Sequence, residues 1–204
     1  MKNKDLANFA KFIFELGQLK RTPRSGWLKL GVNNPESVAA HTFRTAIIGY
    51  LLGQLEGENP YKVAGYCLFH DMAETRTMDL DWLAQKYLDK EDYTSSEIVA
   101  NQIARLPEDL ASSIDDLMNR CPESEGLKKV TKDADLLDLI FQSLEIVHQG
   151  NPLARKWFYN TLPRLETESG KRIGGFLKDK EQQGELEKLI TWWEGARVNS
   201  DQDN

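Results

Sequence analysis

Tyr66-Cys67-Leu68-Phe69-His70-Asp71-Met72-Ala73-Glu74 decides how this chain reads. A mostly apolar helical segment ends abruptly on an imidazole and two carboxylates. On a continuous helix Glu74 lies i+4 from His70 and i+3 from Asp71, so the three converge on one point. Taking such groups out of water is unfavourable unless they are paired or bound to metal. The stretch therefore marks both a helix and a candidate reaction centre.

Upstream of it, Asn33-Asn34-Pro35-Glu36-Ser37 is a helix start: turn residues, then Pro and Glu suited to a first turn. That helix is expected to run to about Glu56, with Val38, His41, Thr45, Ile48, Leu52 and Leu55 on one face. A histidine there is either a satisfied core residue or a ligand. Residues 57–60 close this helix and open the one that holds His70. Cys67, inside that apolar helix, reads as a small core residue. Leu6, Phe9, Ile13 and Leu16 predict an amphipathic first helix. Between them, Arg21-Thr22-Pro23-Arg24-Ser25-Gly26-Trp27 is a turn-rich connection, either a surface loop anchored by its Trp or the wall of a site.

Downstream, residues 75–80 read as a break. Asp79 either caps a short helix over 81–87 or points back at His70. Helices are expected over 93–106 and from Pro107 through Met118, then a polar connection at 121–126 and a long helix to about Gln149. Val130, Ala134, Leu137, Phe141 and Leu144 make its apolar stripe, which His148 continues. Asp133, Asp135 and Asp138 lie off the stripe as on a solvated face, with Asp135 nearest the buried side. A helix with Leu153, Trp157, Phe158 and Leu162 follows, then a mobile connection or helix flank over 166–175 and a last amphipathic helix over 181–193. No strand alternation is present, so the fold class is all-α. One compact domain is expected over 1–195, with a core at about 20–150, C-terminal helices at about 152–195, and a polar tail at 196–204.

The bulk numbers fit that picture. A chain of 204 residues suits one domain with a real core. A net charge of −6 argues against duplex nucleic acid as a partner, although local positive charge still suffices for a small anion. The two cysteines, Cys67 and Cys121, sit in unlike contexts and suggest a reducing, cytoplasmic compartment. The N-terminus leads into an amphipathic segment and not a signal-peptide core. The most apolar run, 46–55, is broken by Gly49, Gly53 and Gln54 and is too short to span a bilayer, so no membrane partner is expected.

The chemistry follows from a short inventory. Two of the 3 histidines, His41 and His70, lie on neighbouring helices, Asp71 adds a third donor, and Asp135 is available as a fourth. Two His and two carboxylates leave room for water on a divalent ion such as Mn, Co, Fe, Zn or Mg. Such a metal would polarise a phosphoryl oxygen and acidify water, with Glu74 as the proton-transfer group.

The order His41, His70-Asp71, Asp135 resembles the metal signature of the HD-domain phosphohydrolase superfamily. Pro23-Arg24-Ser25-Gly26-Trp27, Pro35-Glu36-Ser37-Val38-Ala39-Ala40-His41, His70-Asp71-Met72-Ala73-Glu74 and Lys132-Asp133-Ala134-Asp135 together resemble its 5′-deoxynucleotidase branch. The likeness runs from about Phe9 to Trp157. It implies a helical HD fold holding one divalent metal on His41, His70, Asp71 and Asp135. It also implies hydrolysis of deoxyribonucleoside 5′-monophosphates, a small-molecule nucleotide substrate, and a homodimer. By position Glu74 matches the branch's catalytic carboxylate. Asp79 matches an acidic residue facing the sugar and nucleophile, and Trp27 an aromatic that disfavours a ribose hydroxyl. Some members carry Arg immediately before that Trp. Here Gly26 stands there, which makes Arg24 the phosphate candidate and leaves Arg21 as the alternative.

Neighbouring activities fit less well. Guanosine-tetraphosphate hydrolases of the superfamily carry an acidic pair after the HD, whereas Thr75 follows Glu74 here. Two-metal phosphodiesterases need additional histidines, and only His148 is spare. A catalytically idle nucleotide-binding module is the reading from a different class.

Overall fold

The computed structural model describes residues 2–88, 95–120 and 124–193. The expected helix start at Tyr93, the context of Cys121 and the polar tail lie outside those residues. Among the described residues the chain is helical, and its only strand-like pairing is a single bridge between Pro23 and Ser37. None of the described helices is long and apolar enough to cross a membrane.

Three helices make the centre: α3 (Val38–Glu56), α4 (Pro60–Phe69) and α8 (Glu125–His148). Each starts on a side-chain cap. Ser37 accepts from the Ala40 N–H, Asn59 from Tyr61 and Lys62, and Ser124 from Leu127. Pro60 then occupies the first turn of α4, where its missing N–H is harmless. Leu52, Val63, Cys67, Ala134, Leu137 and Leu144 interlock between these helices. Burying each large aliphatic side chain contributes roughly 2 kcal/mol. Gly49, which breaks the apolar run in sequence, is what lets α3 and α4 close up. A Cβ there would stand 3.0 Å from both Cys67 Sγ and a Val63 methyl.

A second apolar cluster holds α1 (Asn3–Leu16) against α6 (Ser95–Ile103) and α7 (Glu108–Asp115) through Phe12, Met72, Val99, Ile103 and Leu106. The sequence-predicted face of α1 is not the buried one. Leu6, Phe9 and Ile13 stay exposed, Leu16 is partly buried, and Phe12 is the buried contact. A third cluster, Trp27, Ile146 and Ala154, seats α2 (Ser25–Lys29) against the end of α8 and the start of α9 (Ala154–Thr161). The segment from 21 to 27 is thus partly helical, and its Trp is core.

Residues 166–175 are not a mobile connection. They open α10 (Glu168–Gln182), with Thr167 as its cap, and α11 (Leu186–Ile190) follows as a shorter final helix than expected. The anchor is Asp133 on α8, fully buried instead of solvated. Its carboxylate accepts the Glu166 N–H at 2.9 Å, the Thr167 N–H at 2.8 Å and the Thr167 hydroxyl at 2.6 Å. Asp133→Ala would leave those donors buried without an acceptor. It is expected to destabilise the fold by on the order of 3 kcal/mol in urea unfolding. A loss near zero would show that water replaces the carboxylate.

Candidate active site

The local backbone around His70 is not the continuous helix that the residue spacing predicts. α4 stops at Phe69, and residues 70–73 form a tightened turn of i→i+3 bonds, with the Met72 N–H on Phe69 O and the Glu74 N–H on Asp71 O. A short helix α5 (Glu74–Thr77) follows and ends on Met78, at φ 63°. A non-glycine residue in that region is strained by ~1–3 kcal/mol. Here the kink turns the chain so that Asp79 faces back. Its Oδ2 accepts the Ser25 N–H at 2.8 Å, at the start of α2. Asp79 therefore does not cap the following turn. Asp81 does, through the Leu83 and Ala84 N–H groups, over a single 3-10 turn at Ala84–Lys86.

The loop before α2 is strapped to the start of α3. Arg24 N–H donates to Glu36 O at 3.0 Å and Val38 N–H to Thr22 O at 2.8 Å. That pairing puts Arg24 beside the pivot. Its Nη1 lies 3.5 Å from Asp71 Oδ2 and 3.6 Å from Asp79 Oδ1. Arg21 instead hydrogen-bonds Gln18 on the surface. Of the two candidate arginines, only Arg24 lines the cleft. Trp27 is buried, donates its indole N–H to Glu36 at 3.2 Å, and packs on Trp157 at 4.9 Å between ring centroids. Gly26, which stands where some members of the resembled branch carry Arg, is covered by Trp157. A Cβ there would fall 2.7 Å from its ring.

The predicted metal residues meet in one cluster. His41 Nε2 stands 3.2 Å from Asp135 Oδ1 and 3.6 Å from Asp71 Oδ2, and His70 Nε2 stands 3.2 Å from the same Asp71 oxygen. Both imidazoles are oriented from behind. His41 Nδ1 is 2.6 Å from Asp138 Oδ2, and His70 Nδ1 is 2.7 Å from Cys67 O. With Nδ1 donating, each Nε2 faces the cluster, the arrangement that second partners give metal-ligating histidines. His41 Nε2 and Asp71 Oδ2 are buried with no hydrogen-bond partner, as is Glu74 Oε2. Buried polar atoms are almost always satisfied. Orphaned atoms converging from His41 and Asp71, beside His70, are a donor set that fits a divalent cation, and Asp135 adjoins it through its 3.2 Å approach to His41.

Glu36, His41 and Asp138 form a second close group. Its atoms are spent on protein partners: Trp27 on Glu36, and His41 with Arg44 on Asp138. It is support, not a second site. Asp138, expected on a solvated face, is fully buried for this reason, while Asp135 is the most accessible of the three α8 carboxylates. His148 is exposed.

Electrostatics report the crowding. Burial would push the His41 imidazole down, but the Asp135 and Asp138 carboxylates outweigh it and carry it up to about 10. Burial, then the charges of Asp71 and Asp79, push the Glu74 carboxyl up to about 9. For Asp135 burial works upward, yet the His41 imidazole beside it, with the charges of His70 and Arg24, holds it down to about 2. Without a cation, protons fill the place of positive charge.

Around this cluster lies a cleft of about 370 Å³, with Arg24, Glu74, Asp79 and Asp135 at its polar end and Trp82, Leu139 and Trp157 along its apolar walls. Sequence reasoning missed Asp138, Glu36 and Arg44. Only the spacing of Asp138 one turn after Asp135 hinted at any of them.

Residues 16–191 match the HD domain family. The chain belongs to that family. Among relatives of this HD-domain protein, 5′-deoxynucleotidase HDDC2 of Bos taurus is 32% identical over 71% of this chain and 71% of its own. The Xenopus laevis protein of the same name is 30% identical over 78% of each. A solved structure, a conserved hypothetical protein from Pyrococcus furiosus, is 30% identical with a TM-score of 0.64, covering 85% of this chain and 99% of that one.

Proposed function

We propose that this HD-domain protein is a metal-dependent 5′-deoxynucleotidase, converting deoxyribonucleoside 5′-monophosphates to deoxynucleosides and phosphate. The observation that carries this reading is the convergence of the orphaned His41 Nε2 and Asp71 Oδ2 beside Arg24 and Glu74 in one cleft. Relatives bearing the 5′-deoxynucleotidase name support it.

His41, His70, Asp71 and Asp135 would hold one divalent ion (Mn, Co, Fe, Zn or Mg). When bound, it supplies Lewis acidity to the phosphoryl group and the attacking water. Arg24 binds the phosphate through its planar fork, aimed by Asp79 and Asp71. Glu74 handles the proton of the attacking water or the leaving 5′-oxygen. Its pKa of about 9 reflects burial and the charges of Asp71 and Asp79. Neutralising Asp71 brings it toward the working range of a general acid or base. Trp27 and Asp79 shape the sugar pocket against a 2′-hydroxyl. We place the protein in the cytoplasm, with support from a sequence that holds two cysteines in unlike contexts and no disulfide framework. We propose one domain to about residue 195 and a homodimer, with support for the latter from the exposed Phe43, Ile47 and Leu51 of α3.

The test is phosphate release from a panel of dNMPs, NMPs and cyclic dinucleotides with Mn²⁺, Co²⁺ or Mg²⁺. Turnover of dNMPs well above NMPs is expected, with cyclic dinucleotides inert. Silence across the panel with metal binding intact would sink the enzyme reading and favour a nucleotide-binding module.

A further inference from the structure

The segment after Asp79 carries a feature that the metal chemistry leaves unused. Trp82 lines the same cleft as Arg24, Asp71 and Glu74, yet it is 61% exposed. An indole left in water on a site wall lacks the burial that normally holds a Trp in place.

Its position is nonetheless held. Asp79 is tied to the Ser25 N–H, and Asp81 is tied to Lys29 Nζ at 2.6 Å and to two N–H groups of the next turn. Gln85 donates its amide N–H to Leu80 O at 2.6 Å, closing the loop on itself. Lys86 lies over the indole, its Nζ 4.7 Å from the ring centroid. One face of Trp82 is thus covered by a cation, and the ring still keeps most of its surface open.

We propose that Trp82 is the platform on which the nucleobase of the substrate stacks. The inference rests on the 5′-deoxynucleotidase reading and adds to it the element that holds the base. Phosphate belongs at the Arg24 end of the cleft, and the sugar beside Trp27. Of the two further indoles on the cleft, Trp157 is packed against Trp27, and Trp82 is the exposed one left for the base. Stacking accepts any base, because every base has a π-face. Gln85, on the same cleft, spends one of its two amide N–H groups on Leu80 O. The expected enzyme is therefore base-tolerant.

The experiment compares Trp82→Ala and Trp82→Phe with the parent on two ligands. One is dAMP. The other is 2-deoxyribose 5-phosphate, which lacks a base, read as its inhibition constant against dAMP hydrolysis. Trp82→Ala is expected to raise KM for dAMP roughly 5- to 100-fold with kcat retained. The inhibition constant of the baseless sugar phosphate is expected to stay at the parent value, and Trp82→Phe to recover most of the dAMP affinity. An unchanged KM for dAMP overturns the inference, and so does an equal weakening of both ligands. A parent that hydrolyses dNMPs while Trp82→Ala behaves identically overturns the platform alone. A parent inert toward every dNMP overturns the 5′-deoxynucleotidase reading and the platform with it. The exposure of Trp82 means the variants should melt with the parent, which the thermal transition checks.

Discussion

Asp71→Ala is expected to give a folded protein that no longer retains a divalent metal and releases no measurable phosphate from dNMPs. One oxygen of Asp71 is shared by the cluster: it lies 3.2 Å from His70 Nε2, 3.6 Å from His41 Nε2 and 3.5 Å from Arg24. Loss of partners one shell out from a metal typically weakens binding about 10- to 100-fold. Loss of this oxygen should exceed about 100-fold, measured by equilibrium dialysis against metal-buffered solutions. Metal retained at parent affinity would remove Asp71 from the ligand set.

The same cluster sets a pH signature in the parent. His41 rises from 6.5 to about 10 and Glu74 from 4.5 to about 9 in the folded, metal-free state. Both groups therefore stabilise that state at low pH. Glu74's share starts to fall above pH 4.5 and is lost through about 9, and His41's share starts to fall above 6.5 and is lost through about 10. Metal competes with the proton on His41 Nε2, so metal affinity moves the opposite way and tightens as pH rises. Thermal melts with chelator and with Mn²⁺ should diverge with increasing pH.

Glu74→Gln is expected to keep the metal and lose about 10²- to 10⁴-fold in kcat, the usual share of a positioned general acid or base. Gln copies the size of the protonated acid but cannot exchange the proton. Glu74 holds that proton up to about 9 in the metal-free site, so the substitution should not unfold it. Turnover at the parent rate would show that water or another group moves the proton. Together the two variants separate holding the ion from using it, which the proximity of Glu74 to Asp71 in sequence does not.

Most of the site residues were legible from the chain because they cluster in short, chemically odd stretches. His70, Asp71 and Glu74 interrupt an apolar helix, and Arg24 and Trp27 share one turn-rich loop. The misreadings were of another kind. Spacing alone puts Leu6, Phe9, Ile13 and Leu16 on the inner face of α1, but Phe12 is the residue that meets α6 and α7. Residues 166–175, charged and glycine-containing, leave a mobile connection and a helix flank open in sequence, and Asp133 decides for the helix by holding its start from α8. The turn at 70–73 breaks the helical geometry that spacing predicts, yet His70, Asp71 and Glu74 still line one cleft.

The all-α class, the helix starts at Ser37, Asn59 and Ser124, and the polar intrusion at His70 were determined by the sequence itself. Helix periodicity and capping depend on residues within a turn of one another. Only the tertiary structure decided what each carboxylate of α8 does. Asp133, Asp135 and Asp138 lie within two turns of one helix and point to different neighbours: the start of α10, the Nε2 side of His41, and the back of His41. Those partners are 34 residues away for Asp133 and 97 for Asp138. A carboxylate's burial and protonation follow from the groups packed around it, and packing at that separation exists only in the folded chain.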